Sequence, residues 1–326
     1  MRAIVFDQPG DESVLRLGEA PAPTLGPEDL RIRVRATAVN RADLLQRQGF
    51  YPPPPGASPI LGLECAGEVS EVGARVTGWK RGERAMALVP GGGYAEEAVV
   101  DAGSAMHVPE ALSDAEAGAL PEVFLTVFLN VFQLGDPPRG GTVLVHGGGS
   151  GIGTAAISLC REAGLRVLVT AGSDEKCRRC REHGADAAIN YLDGDFAERV
   201  KEITQGKGVN VVLDSIGASY LAQNLSVLAL SGRLMVIGLM GGARAEIDLA
   251  ALLLKRVHVV GSTLRGRPVA EKAAIVRAFE ARFGDALCAG RLRPVIDRVL
   301  PLSEAADAHR VVGSSVHFGK VALSVA

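Results

Sequence analysis

The pattern of apolar and polar positions differs between the first third of the chain and the rest. Up to about residue 119, apolar and polar positions alternate in short runs that Pro and Gly interrupt at close intervals: RAIVF, LRIRVRATAV, AGEVSEVG and AEEAVV. Alternation with a period of two indicates strands with one buried face. Several such strands with frequent turns predict a compact, mostly β domain, either a barrel or a sandwich.

A different pattern begins at about Ser113. The stretch SDAEAGALPEVFLTVFLNVFQLG predicts helices, and Ser113 and Glu116 have the spacing of a capping box. From Thr142 to about Leu264, helix-like segments alternate with the strand-like segments TVLVHG, LRVLVTAG, AAINY, VNVVLDSIG, RLMVIGLMG and HVVGSTL. This alternation predicts an α/β domain with a doubly wound parallel sheet and right-handed crossovers.

The last part of the chain returns to strands. EKAAIVRAFEARFG predicts an amphipathic helix, and RPVIDRVLP and GKVALSV predict late strands. We expect this tail to join the first domain, which would make that domain discontinuous. The predicted domains are residues 1–119 with 265–326, and residues 120–264. No internal repeat is visible.

Composition narrows the class of protein. Of the 326 residues, 47% are hydrophobic and 22% charged, as in ordinary soluble enzymes, and the formal net charge is −2. This charge predicts neither a nucleic-acid partner nor a membrane partner. The first residues, MRAIVFDQPGDE, do not resemble a signal peptide, and five cysteines without a disulfide-like pattern fit a reducing compartment. We therefore expect a cytoplasmic protein.

A glycine-rich turn is the strongest chemical signal in the chain. TVLVHGGGSGIG joins a strand-like run to a helix-like segment. Gly151, Gly153 and Ala156 fit the strict fingerprint G-x-G-x-x-G/A, and the whole glycine run is better described as a lengthened variant of that loop. Such a turn lets backbone N–H groups approach a pyrophosphate, whose charge the helix dipole favours. The turn predicts dinucleotide binding; the alternative is a structural turn rich in glycine.

The residues after the second strand of this domain indicate which dinucleotide binds. NAD sites usually carry an acidic residue there, which binds the ribose 2′-hydroxyl, whereas this strand ends in small residues. Ser173 can donate a hydrogen bond to a phosphate and Lys176 can supply positive charge, whereas Asp174 and Glu175 are expected to complement the dipole of the following helix. This arrangement favours NADP over NAD.

Segments spread over most of the chain resemble one family. The segments are VNRADLLQRQGFYPPPPGASPILGLECAGEV, AMALVPGGGYAEE, LPEVFLTVF, HGGGSGIGTAAISL, VTAGSDEK, VLDSIG, GLMGG and GKVALSV. They are similar to zinc-free quinone oxidoreductases of the medium-chain dehydrogenase/reductase superfamily, which are zeta-crystallin-like, and most to the tumour-suppressor-inducible NADPH:quinone oxidoreductase branch. The resemblance implies a GroES-like β-barrel catalytic domain, a Rossmann domain, hydride transfer from NADPH to an electrophilic acceptor in the cleft between them, and a homodimer.

The resemblance also implies roles for individual residues. The pyrophosphate would lie on the glycine loop, at Gly149, Ser150, Gly151, Ile152 and Gly153. The adenosine ribose phosphate would lie beside the end of the second strand, near Ser173, Lys176 and Tyr191, and the nicotinamide near Thr126, Gly238 and Met240. The acceptor would lie in the β domain, near Asn40, Asp43 and Tyr51. The family loop usually carries Ala or Ser among its glycines, so the run 147–149 departs from it.

Zinc ligands are missing where related alcohol dehydrogenases carry them. A ligand Cys would be expected at Asn40–Asp43 and Gly-His-Glu at Gly62–Glu64, but neither Cys nor His stands there. The stretch after Met86 also lacks the four closely spaced cysteines of a structural zinc lobe. We expect a metal-free protein.

Quinone reduction requires little acid–base chemistry, because the acceptor is already activated and the cofactor supplies the hydride. Tyr51 or Asn40 could donate a hydrogen bond to a carbonyl oxygen as negative charge develops. One alternative is reduction of a C=C bond in a 2-alkenal or an enoyl thioester; the thioester would need a basic entrance for its phosphopantetheine or CoA group. The candidate residues for this basic entrance are Arg41, Arg47, Arg265 and Arg267. A second alternative is a non-enzymatic NADPH-binding protein.

Several residues have a structural interpretation beside the functional one. Asp43 either faces the substrate or braces the adjacent helix, and Tyr51 is either a wall of the cleft or an anchor of its loop. Cys177 and Cys180 are expected to pack in the core rather than form a redox pair, and His146 is expected to be a hydrogen-bonded structural residue. An exposed sheet edge at residues 258–263 would form the dimer.

Overall fold

A computed structural model describes residues 1–325 and divides the chain into two compact units. The first contains Met1–Leu125 and the chain from Leu264 onward, and the second contains Thr126–Thr263. Residues 120–125 therefore lie in the first unit, whereas the sequence analysis placed them in the second.

The first unit is built mainly on β-strands. They are β1 Arg2–Val5, β2 Arg16–Glu19, β3 Asp29–Ala38, β4 Glu64–Val72, β5 Arg84–Leu88, β6 Glu97–Asp101, β7 Ala105–His107, β14 Ile296–Pro301 and β15 Lys320–Ser324. Seven of them form a mostly antiparallel sheet in the order β14-β15-β3-β4-β5-β7, with β6 paired to β3. A separate hairpin joins β1 to β2.

Strand β3 is the centre of this sheet. Leu30, Ile32 and Val34 are buried, while the arginines between them point the other way, which is the alternation seen in the sequence. The C-terminal strand β15 pairs antiparallel with β3, and Ala322 lies opposite Ala38. The C-terminal tail is therefore an interior strand of the first unit.

Four helices accompany these strands: α1 Arg41–Arg47, α2 Asp114–Ala117, α9 Val269–Cys288 and α10 Ala305–Gly313. A further helix, α3 Pro121–Val127, begins in the first unit, and its last two residues belong to the second. The capping box at the start of α2 is confirmed, because Ser113 Oγ accepts from the Glu116 N–H at 3.3 Å and the Glu116 carboxylate accepts from the Ser113 N–H at 2.9 Å. Helix α3 continues directly into a π-helical segment, Phe128–Leu134.

The second unit is a six-stranded parallel sheet flanked by helices. The strands are β8 Thr142–His146, β9 Arg166–Ala171, β10 Ala187–Asn190, β11 Val209–Asp214, β12 Leu228–Val236 and β13 His258–Gly261, and the helices are α4 Gly151–Glu162, α5 Asp174–His183, α6 Phe196–Ile203, α7 Leu221–Val227 and α8 Leu249–Lys255. The strand order is β10-β9-β8-β11-β12-β13. It reverses between β8 and β11, which is the arrangement of a doubly wound dinucleotide-binding fold. The predicted α/β fold, with a mostly β domain and a doubly wound parallel sheet, is confirmed.

Within residues 1–325, no helix combines the length and the apolar composition needed to cross a membrane.

Candidate dinucleotide and acceptor sites

The glycine loop after β8 is packed so closely that side chains cannot be accommodated at several positions. Gly147 has a φ of +76°, in the left-handed region. A Cβ on Gly148 would lie 2.6 Å from the Val169 side chain, and one on Gly153 would lie 2.5 Å from the Gly148 Cα. The start of α4 therefore rests directly on the backbone of the loop, and glycine is needed at these positions.

Ser150 starts helix α4. Its Oγ accepts a hydrogen bond from the Gly153 N–H at 3.0 Å. Gly151 and Ile152 follow in the first turn, where backbone N–H groups have no acceptor within the helix. The loop lies at the carboxyl end of β8, beside the reversal of strand order. An N–H-rich helix end at this point fits the pyrophosphate of a dinucleotide.

The structure brings together the residues predicted for the adenosine ribose phosphate. Ser173 caps α5, and its Oγ accepts from the Lys176 N–H at 3.2 Å. Tyr191 lies across the next strand end, because a Cβ on Gly172 would be 2.5 Å from the Tyr191 hydroxyl oxygen. The Asp174 carboxylate accepts a hydrogen bond from the Asn190 side chain. This strand end offers the Ser173 hydroxyl and the Tyr191 phenol, and Lys176 follows in the first turn of α5.

The residues predicted for the nicotinamide side lie farther along the second unit. The Met240 N–H donates to the Ser215 carbonyl at 3.2 Å, and a Cβ on Gly238 would be 2.9 Å from the same oxygen. Both residues follow the carboxyl end of β12, so they lie at the same edge of the sheet as the glycine loop. Thr126 is in the last turn of α3, where its carbonyl accepts from the Asn130 side chain at 2.8 Å.

The first unit contains a buried ionic cluster that includes Asn40. The Lys320 ammonium donates to Glu64 Oε1 at 2.8 Å, to Asn40 Oδ1 at 2.5 Å and to the Val39 carbonyl at 3.2 Å. Asn40 Nδ2 also donates to Glu64 Oε1 at 2.9 Å, and the other carboxylate oxygen accepts from the Glu122 N–H. The side chains of Lys320 and Glu64 are 3% and 0% exposed. The amide of Asn40 is thus held on both sides.

Sequence reasoning assigned neither Glu64 nor Lys320 to the site. A signal was present, because both residues are charged and each begins a strand whose next residues are uncharged, 65–67 in β4 and 321–324 in β15. A buried charge is tolerated only when it is paired, so two such residues indicate a mutual partnership. The sequence could not show that the two residues are partners, since they are 256 positions apart.

Asp43 is fully buried in α1 and makes the bracing contacts. Its carboxylate accepts from the Asn40 N–H at 2.8 Å, from the Gly62 N–H at 3.0 Å and from the Tyr94 hydroxyl at 3.4 Å. Burial raises the pKa of Asp43 to about 6, despite these donors. Asp43 therefore joins the start of α1 to the chain just before β4, and it positions the backbone of Asn40.

Tyr51 is held by a residue that sequence reasoning considered only as part of a basic entrance. The Arg265 guanidinium lies 5.2 Å from the centre of the Tyr51 ring and donates to the Tyr51 carbonyl at 3.3 Å. It also donates to Gln46 Oε1 at 2.7 Å and to the Pro90 carbonyl at 2.7 Å. Burial raises the pKa of the Tyr51 phenol, so the hydroxyl remains protonated at neutral pH.

His146 and the cysteine pair lie in the interior of the second unit. His146 bonds to Thr170 Oγ1 and Asn224 Oδ1 at 3.0 and 2.7 Å, and burial lowers its pKa to about 4. Cys177 and Cys180 are buried, and burial raises the pKa of the Cys180 thiol to about 12. A neutral imidazole with two partners and a buried, protonated thiol fit the structural interpretation of these residues.

The positions where related dehydrogenases hold zinc carry other side chains in this protein. Asn40 and Leu63 stand there, and the neighbouring Glu64 carboxylate is engaged by the Lys320 ammonium. Within residues 1–325, no three His, Cys, Asp or Glu side chains are grouped so that they could hold a metal ion.

Comparisons with known proteins identify the family. Residues 26–110 match the family described as alcohol dehydrogenase GroES-like domain, and residues 151–280 match the one described as zinc-binding dehydrogenase. Quinone oxidoreductase-like protein 2 of Bos taurus is 34% identical over 303 residues, which cover 92% of this chain and 86% of that protein. The chain therefore belongs to the medium-chain dehydrogenase/reductase superfamily.

Two further proteins of known name are similar to this chain. The crystal structure of Escherichia coli quinone oxidoreductase complexed with NADPH superimposes with a TM-score of 0.89 at 27% identity, over 99% of this chain and 100% of that one. Mycocerosic acid synthase-like polyketide synthase of Mycobacterium tuberculosis is 33% identical over 97% of this chain. The chain spans only 15% of that much longer protein. The resemblance to quinone oxidoreductases drawn from the sequence is confirmed.

Proposed function

We propose that this protein uses NADPH to reduce a quinone. The observation that carries the proposal is the end of strand β9, where Ser173, Lys176 and Tyr191 offer hydrogen-bond donors and positive charge at the position that usually carries an acidic residue in NAD sites. The Escherichia coli relative that is complexed with NADPH supports the same cofactor.

In the proposed reaction, bound NADPH supplies the hydride, and the residues of this chain bind, orient and hydrogen-bond. The first turn of α4 would hold the pyrophosphate, and Lys176 and Ser173 would hold the 2′-phosphate. An acceptor carbonyl oxygen gains negative charge as the hydride arrives, and a phenol within hydrogen-bond distance stabilises that charge.

Tyr51 is the better candidate for this donor. Within residues 1–325, no hydrogen bond engages the Tyr51 hydroxyl, whereas the side-chain amide of Asn40 already bonds to Lys320 and Glu64. Asn40 and Asp43 then act by positioning, and the acceptor oxygen takes its final proton from water. None of these steps requires a metal ion.

The second candidate function is reduction of an activated C=C bond in a 2-alkenal or enoyl thioester. The polyketide synthase relatives favour it, since 97% of this chain aligns with part of one of them. The predicted basic entrance is weaker than the sequence indicated, because Arg267 pairs with Glu271 and Arg265 packs on Tyr51. A cofactor-binding protein without turnover is the third possibility.

The deciding experiment is NADPH oxidation followed by absorbance, with ortho- and para-quinones, a 2-alkenal and an enoyl-CoA as acceptors, with and without a chelator. We expect turnover with quinones and no effect of the chelator. In Lys176→Ala, the loss of a charge-assisted hydrogen bond to the 2′-phosphate, worth about 1.5–3 kcal/mol, should weaken NADPH by roughly 10- to 100-fold and NADH little.

Other results would change the assignment. Turnover confined to the alkenal or the thioester would replace the quinone by the second candidate. Equal losses for NADPH and NADH in Lys176→Ala would refute the phosphate role of Lys176. Binding of NADPH without turnover of any acceptor would leave the third possibility, and inhibition by the chelator would contradict a metal-free reaction.

We also propose that the protein forms a homodimer through the edge of the second unit. Strand β13 has a single neighbour, β12, and Val259 on it is exposed. Leu253 and Leu254 of the preceding helix α8 are each 77% exposed. An unpaired edge beside exposed leucines is a surface that a second copy of the same edge would cover.

Sedimentation measures the state directly. The wild type should sediment as a dimer, and Val259→Lys should shift it to the monomer, because a charge on an edge strand opposes pairing. Val316→Lys is the matched control, since Val316 is exposed in the first unit. A monomeric wild type, or a dimer that tolerates the lysine at position 259, would contradict the proposal.

A further inference from the structure

The first unit contains a cavity of about 350 Å³ that the proposed reaction does not use. It lies between α1, α10 and the turn at residues 12–14. Its charged lining residues are Arg41, Arg47, Arg310 and Glu12, and its apolar ones are Leu44 and Leu45. This volume is within the range of pockets that bind small organic molecules.

Arg47 is a buried cation at the wall of this cavity. Its side chain is among the most buried charged groups, with 4% of the residue exposed. Nε donates to the Gly10 carbonyl at 3.2 Å, and Nη1 lies 3.3 Å from His309 Nδ1. Neither partner offers a negative charge. One is the Gly10 backbone carbonyl, and the other is a neutral imidazole, since burial lowers the pKa of His309 to about 3.

Arg41 is also without a carboxylate partner, and its guanidinium bonds to Ser315 Oγ at 3.3 Å. Within residues 1–325, no carboxylate is within ion-pair distance of Arg41 or Arg47. Glu12, the acidic residue of the lining, is paired with Arg310 at 3.0 Å, and Arg310 is also paired with Asp307. Burial lowers the pKa of Arg47, and the nearby carboxylates of Glu12 and Asp11, which form no ion pair with it, offset this only in part. An anion bound directly on this buried guanidinium would therefore be stabilised.

We propose that this cavity is a binding site for a small organic anion. A carboxylate or phosphate group would lie on the guanidinium groups of Arg41 and Arg47, which match planar and tetrahedral oxyanions. A short apolar portion would lie against Leu44 and Leu45. The proposal does not depend on the identity of the electron acceptor.

The hydrogen-bond donors and acceptors around Arg47 form a directed chain. A guanidinium only donates, so His309 Nδ1 accepts and Nε2 carries the hydrogen. Nε2 then donates to the Tyr94 hydroxyl at 3.1 Å, and this hydroxyl donates to the Asp43 carboxylate at 3.4 Å. An anion on Arg47 would therefore bind at one end of the chain that braces Asn40.

Calorimetric titration of the full-length protein with butyl phosphate, butyrate and inorganic phosphate tests the site. We expect one saturable event with a Kd on the order of 1 mM or tighter for at least one of the two butyl compounds, and weaker binding of inorganic phosphate. Tighter binding of butyl phosphate than of butyrate would identify a phosphate ester as the ligand class, and the reverse a carboxylate.

The variant that decides the location is Gly313→Leu. Gly313 lines the cavity, its φ is not positive, and a Cβ there would make an ordinary 3.8 Å contact with Leu44. A leucine should fill the cavity without removing a charge and weaken binding at least about tenfold. The control is Gly284→Leu in helix α9, where a Cβ would have no neighbour within 4 Å.

Arg47→Met should abolish the same binding event. If Arg47→Met does not fold, Arg41→Gln, at a half-buried position, takes its place as the test and should weaken binding. Phosphate bound at the glycine loop would appear as a second event that none of these substitutions changes. The proposal is overturned if no butyl compound binds the wild type at 10-fold the expected Kd, on the order of 10 mM. It is equally overturned if a folded Gly313→Leu protein binds as tightly as the wild type.

Discussion

Replacement of Lys320 by Met should lower the free energy of unfolding of the first unit by about 3–5 kcal/mol, the usual cost of removing one partner from a buried ion pair. The Lys320 ammonium makes three hydrogen bonds, and the Glu64 carboxylate that it neutralises is 0% exposed. In the variant, this carboxylate would remain buried with only the Asn40 amide and the Glu122 N–H as donors.

Urea unfolding measures this effect, and Trp79 is a convenient probe. It is the single tryptophan of the sequence and lies in the first unit, so its fluorescence reports that unit. Arg75→Met is the control, because Arg75 pairs with Glu28 at the surface, where both side chains are about two-thirds exposed. The control should change stability by less than about 1 kcal/mol.

A double replacement separates loss of charge pairing from loss of packing. Lys320→Met with Glu64→Leu removes both charges, and it should recover part of the stability that Lys320→Met loses. If Lys320→Met unfolds at the same urea concentration as the wild type, the buried pair does not stabilise the fold as the geometry indicates.

Replacement of Gly153 by Ala should weaken NADPH binding by about 100-fold or more, which corresponds to roughly 2.7 kcal/mol. The added Cβ would lie 2.5 Å from both the Cα and the carbonyl carbon of Gly148, and backbone atoms cannot move away as a flexible side chain can. The loop or the start of α4 must therefore shift, and the N–H groups would no longer converge on the pyrophosphate.

The change in NADPH fluorescence on binding measures this effect, and thermal unfolding checks that the variant is folded. Gly261→Ala is the matched control in the same sheet, because a Cβ there would have no neighbour within 4 Å. A folded Gly153→Ala protein with the affinity of the wild type would show that the cofactor does not use this loop. The control should bind NADPH as the wild type does.

Local sequence patterns were sufficient to predict most individual elements. The alternation in β3, the capping box before α2 and the strand–turn–helix around the glycine loop are each encoded within a few neighbouring residues. Periodicity, capping and glycine conformation act over such short distances, so these elements can be recognised without a structure. The short strands β5 and β7 were not predicted, because five and three residues carry little periodic signal.

The site residues divide in the same way. Ser173 and Lys176 are close because one helix cap joins them, whereas Tyr191 reaches them only through the pairing of β10 with β9. The sequence suggested Asp43 and Tyr51 as site residues and left their roles open. The buried carboxylate of Asp43 and the Arg265 guanidinium on Tyr51 became visible only in the structure.

The sequence by itself was sufficient to predict the class of fold and the glycine loop. It also showed the small and basic residues at the end of β9 that favour NADP. The tertiary structure alone decided that Lys320 neutralises Glu64 and that one cavity is bordered by two arginines that form no ion pair within residues 1–325. The reason is that charge pairing and burial depend on distances between residues far apart in the chain. No local pattern encodes those distances, and a strand order such as β14-β15-β3-β4 establishes them.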